Sequence, residues 1–280
     1  MSTPTTVSRA LAASGLVPFE AKLLLAHVLG RDRAWLAAHA DETVAVEQAK
    51  AFDALARRRR NGEPVAYLIG RREFYGLDLE ITPDVLIPRP ETELLVELAL
   101  ARLPDDRAIR VLDLGTGSGA VALAIAAARR SAQVVGTDVS VPALALAARN
   151  AARLRIDNAT FTESDWFEAL AHERFDLIAG NPPYVAAGDP HLGEGDLRYE
   201  PQHALTAGAD GLRSLRTIVA AAPAHLVPGG WLLLEHGHDQ ADAVGALFRD
   251  AGFADVGAAR DLAGIWRVSY GRISPQSPLA

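Results

Sequence analysis

Val111-Leu112-Asp113-Leu114-Gly115-Thr116-Gly117-Ser118-Gly119 is an aliphatic run that gives way to three alternating glycines, and Ala120 to Arg129 follows as an almost wholly apolar segment. A short aliphatic run bounded by glycine reads as a buried strand, and the longer segment after it reads as a helix. Between the two, the glycines permit positive φ and let a ligand approach the backbone closely. Moving outward, strand candidates recur at Arg110–Leu114, Gln133–Asp138, Thr160–Glu163, Phe175–Gly180, Trp231–Glu235, Asp255–Arg260 and Trp266–Tyr270. Helices fill the intervals at Ala120–Arg129, Val141–Arg153, Leu212–Ala222 and Gln240–Ala251. Strand–helix alternation with short connections predicts a parallel α/β sheet covered on both faces. The last two strands lack a long helix between them, which predicts an antiparallel edge hairpin. Ile273 to Ala280 reads as a frayed tail.

The N-terminal part has a different texture. Ala21–Leu29, Arg33–His39 and Val46–Arg60 carry helical periodicity, and Gly30 is placed as a left-handed stop. About four or five helices are expected there. Arg72–Ile81 alternates around Gly76 and predicts a β-hairpin. Pro88-Arg89-Pro90-Glu91-Thr92-Glu93 then opens a helix through Ala101, and Glu91 and Glu93 suit its first turn. The expected division is a helical docking domain at 1–72, a hairpin linker at 73–88 and an α/β domain at 89–280. Charge divides the same way: residues 1–72 hold 11 Lys+Arg against 7 Asp+Glu, and residues 73–280 hold 17 against 28. The run Arg57-Arg58-Arg59-Arg60 is expected to be a solvated helix end, with an anionic docking surface as the sharper reading. There is no cysteine, which removes disulfides and thiol chemistry. The longest apolar run, Ala120 to Ala128, is too short to span a bilayer, and Met1 to Ser8 lacks a signal-peptide pattern. A cytoplasmic protein without membrane association is expected.

Two further stretches carry chemistry. Asp138 closes the second α/β strand, where a carboxylate can accept both hydroxyls of a ribose. The G-x-G-x-G spacing differs from the G-x-G-x-x-G that seats a pyrophosphate, and Asp113 beside it suits a ligand with a cationic amino-acid portion. In Ser164-Asp165-Trp166, Asp165 is a candidate acceptor for an exocyclic amine and Trp166 a wall for a purine. Together these residues favour S-adenosylmethionine, with Asp113 on the methionine amine, Asp138 on the ribose, and Asp165 and Trp166 on the adenine. Gly115, Thr116, Gly117, Ser118 and Gly119 complete the expected cofactor contacts. The second stretch is Asn181-Pro182-Pro183-Tyr184, at the carboxyl end of Phe175–Gly180. Prolines stop the strand and stiffen its exit, so a primary amide is held at a strand end beside an aromatic ring. That combination suits a grip on a planar amino group. Asn181 is assigned to the cofactor side of the site as well. Glu235-His236-Gly237-His238 offers two histidines at a strand end, where hydrogen bonding is commoner than metal ligation, and no metal is expected.

These segments resemble the peptide chain release factor glutamine methyltransferases, the HemK/PrmC family. The likeness rests on Gly62–Leu68, Arg72–Leu77, Leu86–Glu93, Leu112–Gly119, Asn181–Tyr184, Tyr199-Glu200-Pro201 and Leu232–Gly237. It implies a helical N-terminal domain, a hairpin linker and a Rossmann-like methyltransferase domain. It also implies methylation of the glutamine side-chain nitrogen in the Gly-Gly-Gln motif of class I release factors. On that reading Asn181 and the Pro182 carbonyl accept the two amide hydrogens, Pro183 keeps the backbone open, and Tyr184 packs on the amide face. Roles for Arg89, Glu91 and Glu93 stay open. The alternative is an adenine-amino DNA methyltransferase, which shares Asn-Pro-Pro-Tyr but needs a basic DNA-binding face that the acidic α/β part lacks. A nicotinamide oxidoreductase fails on the glycine spacing. A non-catalytic adaptor leaves the intact motifs without a purpose.

Overall fold

A computed structural model describes residues 5–104 and 107–275. The first four positions, 1–4, and the last five, 276–280, lie outside them, which takes in the start of the Met1–Ser8 segment and most of the expected tail. By packing, the chain falls into two compact units, residues 1–71 with 191–199, and residues 72–190 with 200–280.

The first unit is helical. Strand β1 (Thr5–Thr6) pairs antiparallel with β2 (Thr43–Val44), and between and after them come α1 (Val7–Ala13), α2 (Pro18–Leu29), α3 (Arg33–Ala38), α4 (Val46–Arg60) and α5 (Val65–Ile69). Gly30 caps α2 in the left-handed region at φ 61°, as its position predicts. Leu24, Leu25, Leu36 and Phe52 form the core of this unit. The four arginines ending α4 are only in part a solvated end. Arg58 pairs with Glu63, and Arg60 donates to the Ser14 carbonyl. Arg59 is clamped between Glu20 (2.8 Å) and Asp196 (2.6 Å), in the segment that returns to this unit.

The second unit opens with a hairpin, β3 (Arg71–Phe74) and β4 (Leu77–Glu80). It stands within a residue of the alternation at Arg72–Ile81, with Tyr75 (φ 50°) and Gly76 (φ 76°) closing a two-residue turn of positive φ at both positions, and is shorter than the linker expected at 73–88. Residues 81–89 then run as irregular chain. After a 3-10 turn at Pro90–Thr92 the elements are α6 (Glu93–Leu100), β5 (Ile109–Leu114), α7 (Ala120–Ala128), β6 (Ala132–Asp138), α8 (Val141–Leu154), β7 (Ala159–Glu163), β8 (Phe175–Gly180), α9 (Arg213–Ala221), β9 (Leu226–Glu235), α10 (Ala241–Asp250), β10 (Ala254–Arg260) and β11 (Trp266–Arg272). The sheet order is β10-β11-β9-β8-β5-β6-β7. Strands β7, β6, β5, β8 and β9 run parallel, and β11 pairs antiparallel with both β9 and β10. The edge hairpin is therefore present, with its second strand inserted inside the first.

Both faces of the sheet are covered. Leu112 and Leu114 of β5 join Leu215 and Ile218 of α9 and Val244 and Phe248 of α10 in one cluster. Asp113, pointing the other way, accepts the Ala122 N–H of α7. Burial on both faces is why these strands read as continuous aliphatic runs rather than alternating ones. Ile273 corrects the expected tail: it is buried in the core, and its N–H donates to Gly230 O. The chain climbs from β5 outward to β7 and then returns to β8 on the other side of β5. That order reversal leaves a crevice beyond the carboxyl ends of β5 and β8, where α/β sheets bind ligands.

Candidate active site

Strand pairing brings the two chemical motifs together. Leu114 of β5 lies opposite Gly180 of β8, so the glycine turn and Asn181 leave adjacent strand ends. Between them opens a cleft of about 910 Å³, counting its mouth. Asp113, Gly115, Thr116, Gly117, Ser118, Asp138, Trp166, Asn181 and Pro183 all line it. Gly115 (φ 69°) and Gly117 (φ 54°) take the left-handed conformations that side chains would resist. Gly119 (φ 83°) starts α7 and packs against Leu123 and Ala147, supporting the turn from behind.

The carboxylates have distinct settings. Asp138 accepts from Gly117 N–H on one oxygen and Ser140 N–H on the other, both at 2.9 Å, which fixes the carboxylate plane at the cleft wall. Asp113 is buried and accepts from the Thr116 hydroxyl (2.7 Å) and Ala122 N–H (3.1 Å). Burial outweighs those bonds and pushes its pKa up to about 7. Asp165 is exposed and does not line the cleft; Ser164 beside it does. The Ser164 hydroxyl donates to the Trp166 carbonyl (3.0 Å) and accepts from Ala169 N–H (3.1 Å), which holds Trp166 at φ 49°. The fixed carboxylate of Asp138, the buried carboxyl of Asp113 and the glycine turn fit an adenosyl ligand with a cationic end.

At the other end, the Asn181 amide nitrogen donates to the Thr92 hydroxyl at 3.1 Å. Among the described residues, Asn181 Oδ1 and the Pro182 carbonyl take no hydrogen bond. Pro182 itself is buried, and neither it nor Tyr184 is part of the cleft lining. Tyr184 is pinned at both ends, its hydroxyl donating to Glu235 Oε1 (3.2 Å) and its carbonyl accepting from Gln240 (3.1 Å). Burial, with the Glu235 charge, holds that phenol well above its usual range.

Other residues line the cleft without an expected role, though Leu86, Pro88 and Thr92 belong to the Leu86–Glu93 segment of the family likeness: Asp84, Val85, Leu86 and Pro88 from the irregular strap, Thr92 after it, and His203 from a short turn. Arg89, Glu93 and Glu200 act behind them. Arg89 pairs with the buried Glu200, which also accepts the Ile87 N–H (3.2 Å), so the strap is tied down at two points. Glu93 accepts the Tyr75 N–H (3.0 Å) and so holds the hairpin turn. Buried Asn150 of α8 donates to the Glu80 and Ser118 carbonyls (3.0 Å each) and accepts the Glu80 N–H (2.7 Å). His236 is buried, its ring held by Ser269 and the Gly237 carbonyl, and burial lowers its pKa. Among the described residues, no group of three or more His, Asp or Glu side chains is placed to hold a metal.

A seven-stranded sheet with this reversal and this cleft defines a Rossmann-like methyltransferase of the S-adenosylmethionine-dependent class. The fold is shared with a solved methyltransferase from Pyrococcus furiosus, 20% identical with a TM-score of 0.54, the match covering 78% of this chain and 97% of that one. Residues 5–70 match the PrmC N-terminal domain, and residues 91–194 match the methyltransferase small domain. A release factor glutamine methyltransferase of Xylella fastidiosa is 54% identical over 253 residues, covering 90% of this chain and 92% of its own. That of Bordetella pertussis is 53% identical over 93% of this chain and 97% of its own. The chain belongs to the release factor glutamine methyltransferase family.

Proposed function

We propose that this chain transfers a methyl group from S-adenosylmethionine to the side-chain amide nitrogen of the glutamine in the Gly-Gly-Gln motif of class I peptide chain release factors. The observation that carries this reading is the disposition of Asn181. Its nitrogen donates to Thr92, which leaves its oxygen to accept from a target, and the residue lines the cleft beside the glycine turn.

A glutamine amide nitrogen is a poor nucleophile because its lone pair is delocalised into the carbonyl. When bound, S-adenosylmethionine supplies a methyl group on a sulfonium, so transfer moves positive charge instead of creating an anion. The protein contributes alignment and exclusion of water rather than an oxyanion hole. Asn181 Oδ1 accepts one amide hydrogen and the Pro182 carbonyl the other, which turns the nitrogen toward the cleft. Tyr184, held by Glu235 and Gln240, backs the amide plane. Asp84, Val85, Leu86 and Pro88 of the strap line the cleft and would take up space that water otherwise fills. A protonated N-methyl amide is a strong acid and loses its proton without a dedicated base. In this reading the helical unit docks the body of the release factor, and the reaction takes place in the cytoplasm without direct nucleic-acid binding. Among the described residues, no helix is long and apolar enough to cross a membrane.

The test is mass spectrometry of a release factor incubated with the protein and isotopically labelled methyl donor. One methyl on the Gly-Gly-Gln glutamine is expected. An unmodified glutamine, with DNA adenine labelled in a parallel reaction, overturns the proposal.

A further inference from the structure

Asn-Pro-Pro-Tyr is held at its start by the sheet, where Gly180 pairs with Leu114 on one side and Leu234 on the other. Its far end is held partly by a side chain. Just past Tyr184, the Val185 N–H donates to the Leu205 carbonyl and the Val185 carbonyl accepts from Ala207 N–H, both at 2.9 Å. Successive carbonyls of an extended chain face opposite edges, so the Tyr184 carbonyl turns away from 205–207. There it meets Gln240, whose amide nitrogen donates to it at 3.1 Å. Gln240 Oε1 in turn accepts the Gly237 N–H at 2.9 Å.

Gln240 is the N-cap of α10, yet its side chain makes no capping bond to that helix. The residues that cap well are Ser, Thr, Asp and Asn, whose short side chains reach the free N–H groups of the first turn. Gln240 instead uses both ends of its amide between the exits of β8 and β9. A backbone N–H can only donate and a carbonyl can only accept, so this amide fits one way round. Two glycines leave room for it: a Cβ on Gly211 would stand 2.9 Å from Gln240 Nε2, and one on Gly237 3.1 Å from Oε1. The anchor is itself fixed, because the Gly237 carbonyl receives the His236 ring at 2.8 Å and the Gln240 N–H at 3.1 Å.

We infer that Gln240 is a positioning residue, which by holding the Tyr184 carbonyl sets the direction in which the Pro182 carbonyl meets the acceptor amide. The inference rests on the reading of that carbonyl as the acceptor of one amide hydrogen. Between Gly180 in the sheet and the Tyr184 carbonyl lie Asn181, Pro182 and Pro183. Rings lock φ at two of these three residues, so few torsions are left to absorb a movement of either end. Held at both ends, the Pro182 carbonyl keeps one direction. Released at Tyr184, the segment can turn it aside, and a misplacement of about 1 Å can cost on the order of a hundredfold in rate. Gln240 does not line the cleft, so its hold acts on the acceptor side of the site.

The experiment compares Gln240→Met and Gln240→Glu with the wild type in the full chain. Release factor is the acceptor and S-adenosylhomocysteine the cofactor-binding probe. Methionine keeps the length of glutamine and makes neither bond. Glutamate keeps the shape, but ionised it has no hydrogen for the Tyr184 carbonyl. Protonated, it donates to that carbonyl and accepts from Gly237 as glutamine does. A carboxyl facing a carbonyl oxygen in a half-buried site titrates above the ordinary value of about 4.3. The other charged or titratable groups nearby are Glu235, His236, His238 and Asp239 at the end of β9, Asp210 ahead of α9, and Arg89 and Arg267, which act on Tyr184. All three proteins share them, so kcat is read as its ratio to the wild type at each pH.

At about pH 8 both variants are expected to lose at least about tenfold in kcat with probe affinity unchanged. Toward about pH 5.5 the ratio for Gln240→Glu is expected to rise several-fold, while that for Gln240→Met stays flat. Wild-type kcat in Gln240→Met overturns the inference. So does a Gln240→Glu ratio that stays flat with pH, or a probe affinity that falls as far as kcat. Failure of the wild type to methylate the glutamine instead overturns the functional reading on which it rests.

Discussion

Asp113 holds a carboxyl where a carboxylate is costly, and a cationic ligand is what would relieve that cost. Its pKa is raised to about 7, chiefly by burial. The free folded protein therefore holds this proton more tightly than the unfolded chain. That contribution to stability is complete below the unfolded pKa near 4 and is lost as pH rises through about 7. A ligand amine beside Asp113 acts the other way, favouring the carboxylate and expelling the proton. Calorimetric titration with S-adenosylhomocysteine near pH 7 should accordingly show proton release, and affinity should tighten as pH rises. Asp113→Asn is expected to abolish the proton release and weaken binding; undiminished release in that variant would place the proton elsewhere. Asn181→Ala is expected to separate the two ends of the cleft, with transfer lost in the methylation assay and S-adenosylhomocysteine binding largely kept. Gly211 supplies a steric counterpart, because a Cβ there (φ 72°) would run into the Tyr184 carbonyl. Gly211→Ala should therefore lower transfer more than it lowers cofactor affinity, as kcat and dissociation constants would reveal. At this scale the residues legible in the sequence were those whose backbone setting is peculiar, such as glycines in a turn or an amide before two prolines. Thr92 was not, since a buried hydroxyl becomes informative only once the end of β8 and the turn at Pro90–Thr92 are adjacent. Asp165 shows the converse: adjacency to Trp166 in sequence does not turn its side chain into the cleft.

Among the elements, those that bury both faces left the clearest trace. The strands β5 and β8 stand within a residue of where their aliphatic runs place them, because turn-forming residues bound them sharply. The strap at 81–89 has no period, so only the Leu86–Glu93 likeness marks it, and its position depends on Glu200, more than a hundred residues away. Asn150 is a similar case. From the middle of α8 it satisfies both backbone groups of Glu80 in β4 and the Ser118 carbonyl of the glycine turn. Hairpin and turn are thus joined through one side chain. Asn150→Leu leaves three backbone groups without this partner, of which the Ser118 carbonyl bond is buried, at roughly 1–3 kcal/mol for a group that water cannot reach. A lowered melting temperature together with weaker S-adenosylhomocysteine binding is expected. A variant that melts early but binds normally would show that the clamp serves the hairpin alone.

Across the whole chain, continuity in sequence and continuity in packing part company at 191–199. This segment follows Asn181–Tyr184 by only a few residues, yet it packs with the helical unit and not with the sheet around it. Its attachments are specific: Asp196 to Arg59 at 2.6 Å, Tyr199 hydroxyl to the Asn61 carbonyl at 2.9 Å, and Arg198 to the same carbonyl. Arg59 in turn holds Glu20, so α2, α4 and the returning segment share one guanidinium. That sharing explains why a run of four arginines need not be a docking surface, which sequence position alone could not decide. It also makes the segment's order conditional on the helical unit. Removing residues 1–70 deletes Arg59 and Asn61, leaving Asp196, Arg198 and Tyr199 with none of these partners. Trypsin is then expected to cut after Arg198 at least about tenfold faster than in the full chain, since cleavage follows the population of the opened segment. S-adenosylhomocysteine binding is expected to persist, since the cleft lining lies within the second unit, while transfer to release factor is expected to be lost. Arg59→Ala in the full chain removes one of these attachments and should fall between the two cutting rates. Equal protection at Arg198 in the truncated and full chains would mean that the segment is ordered by its own turns and not by the helices.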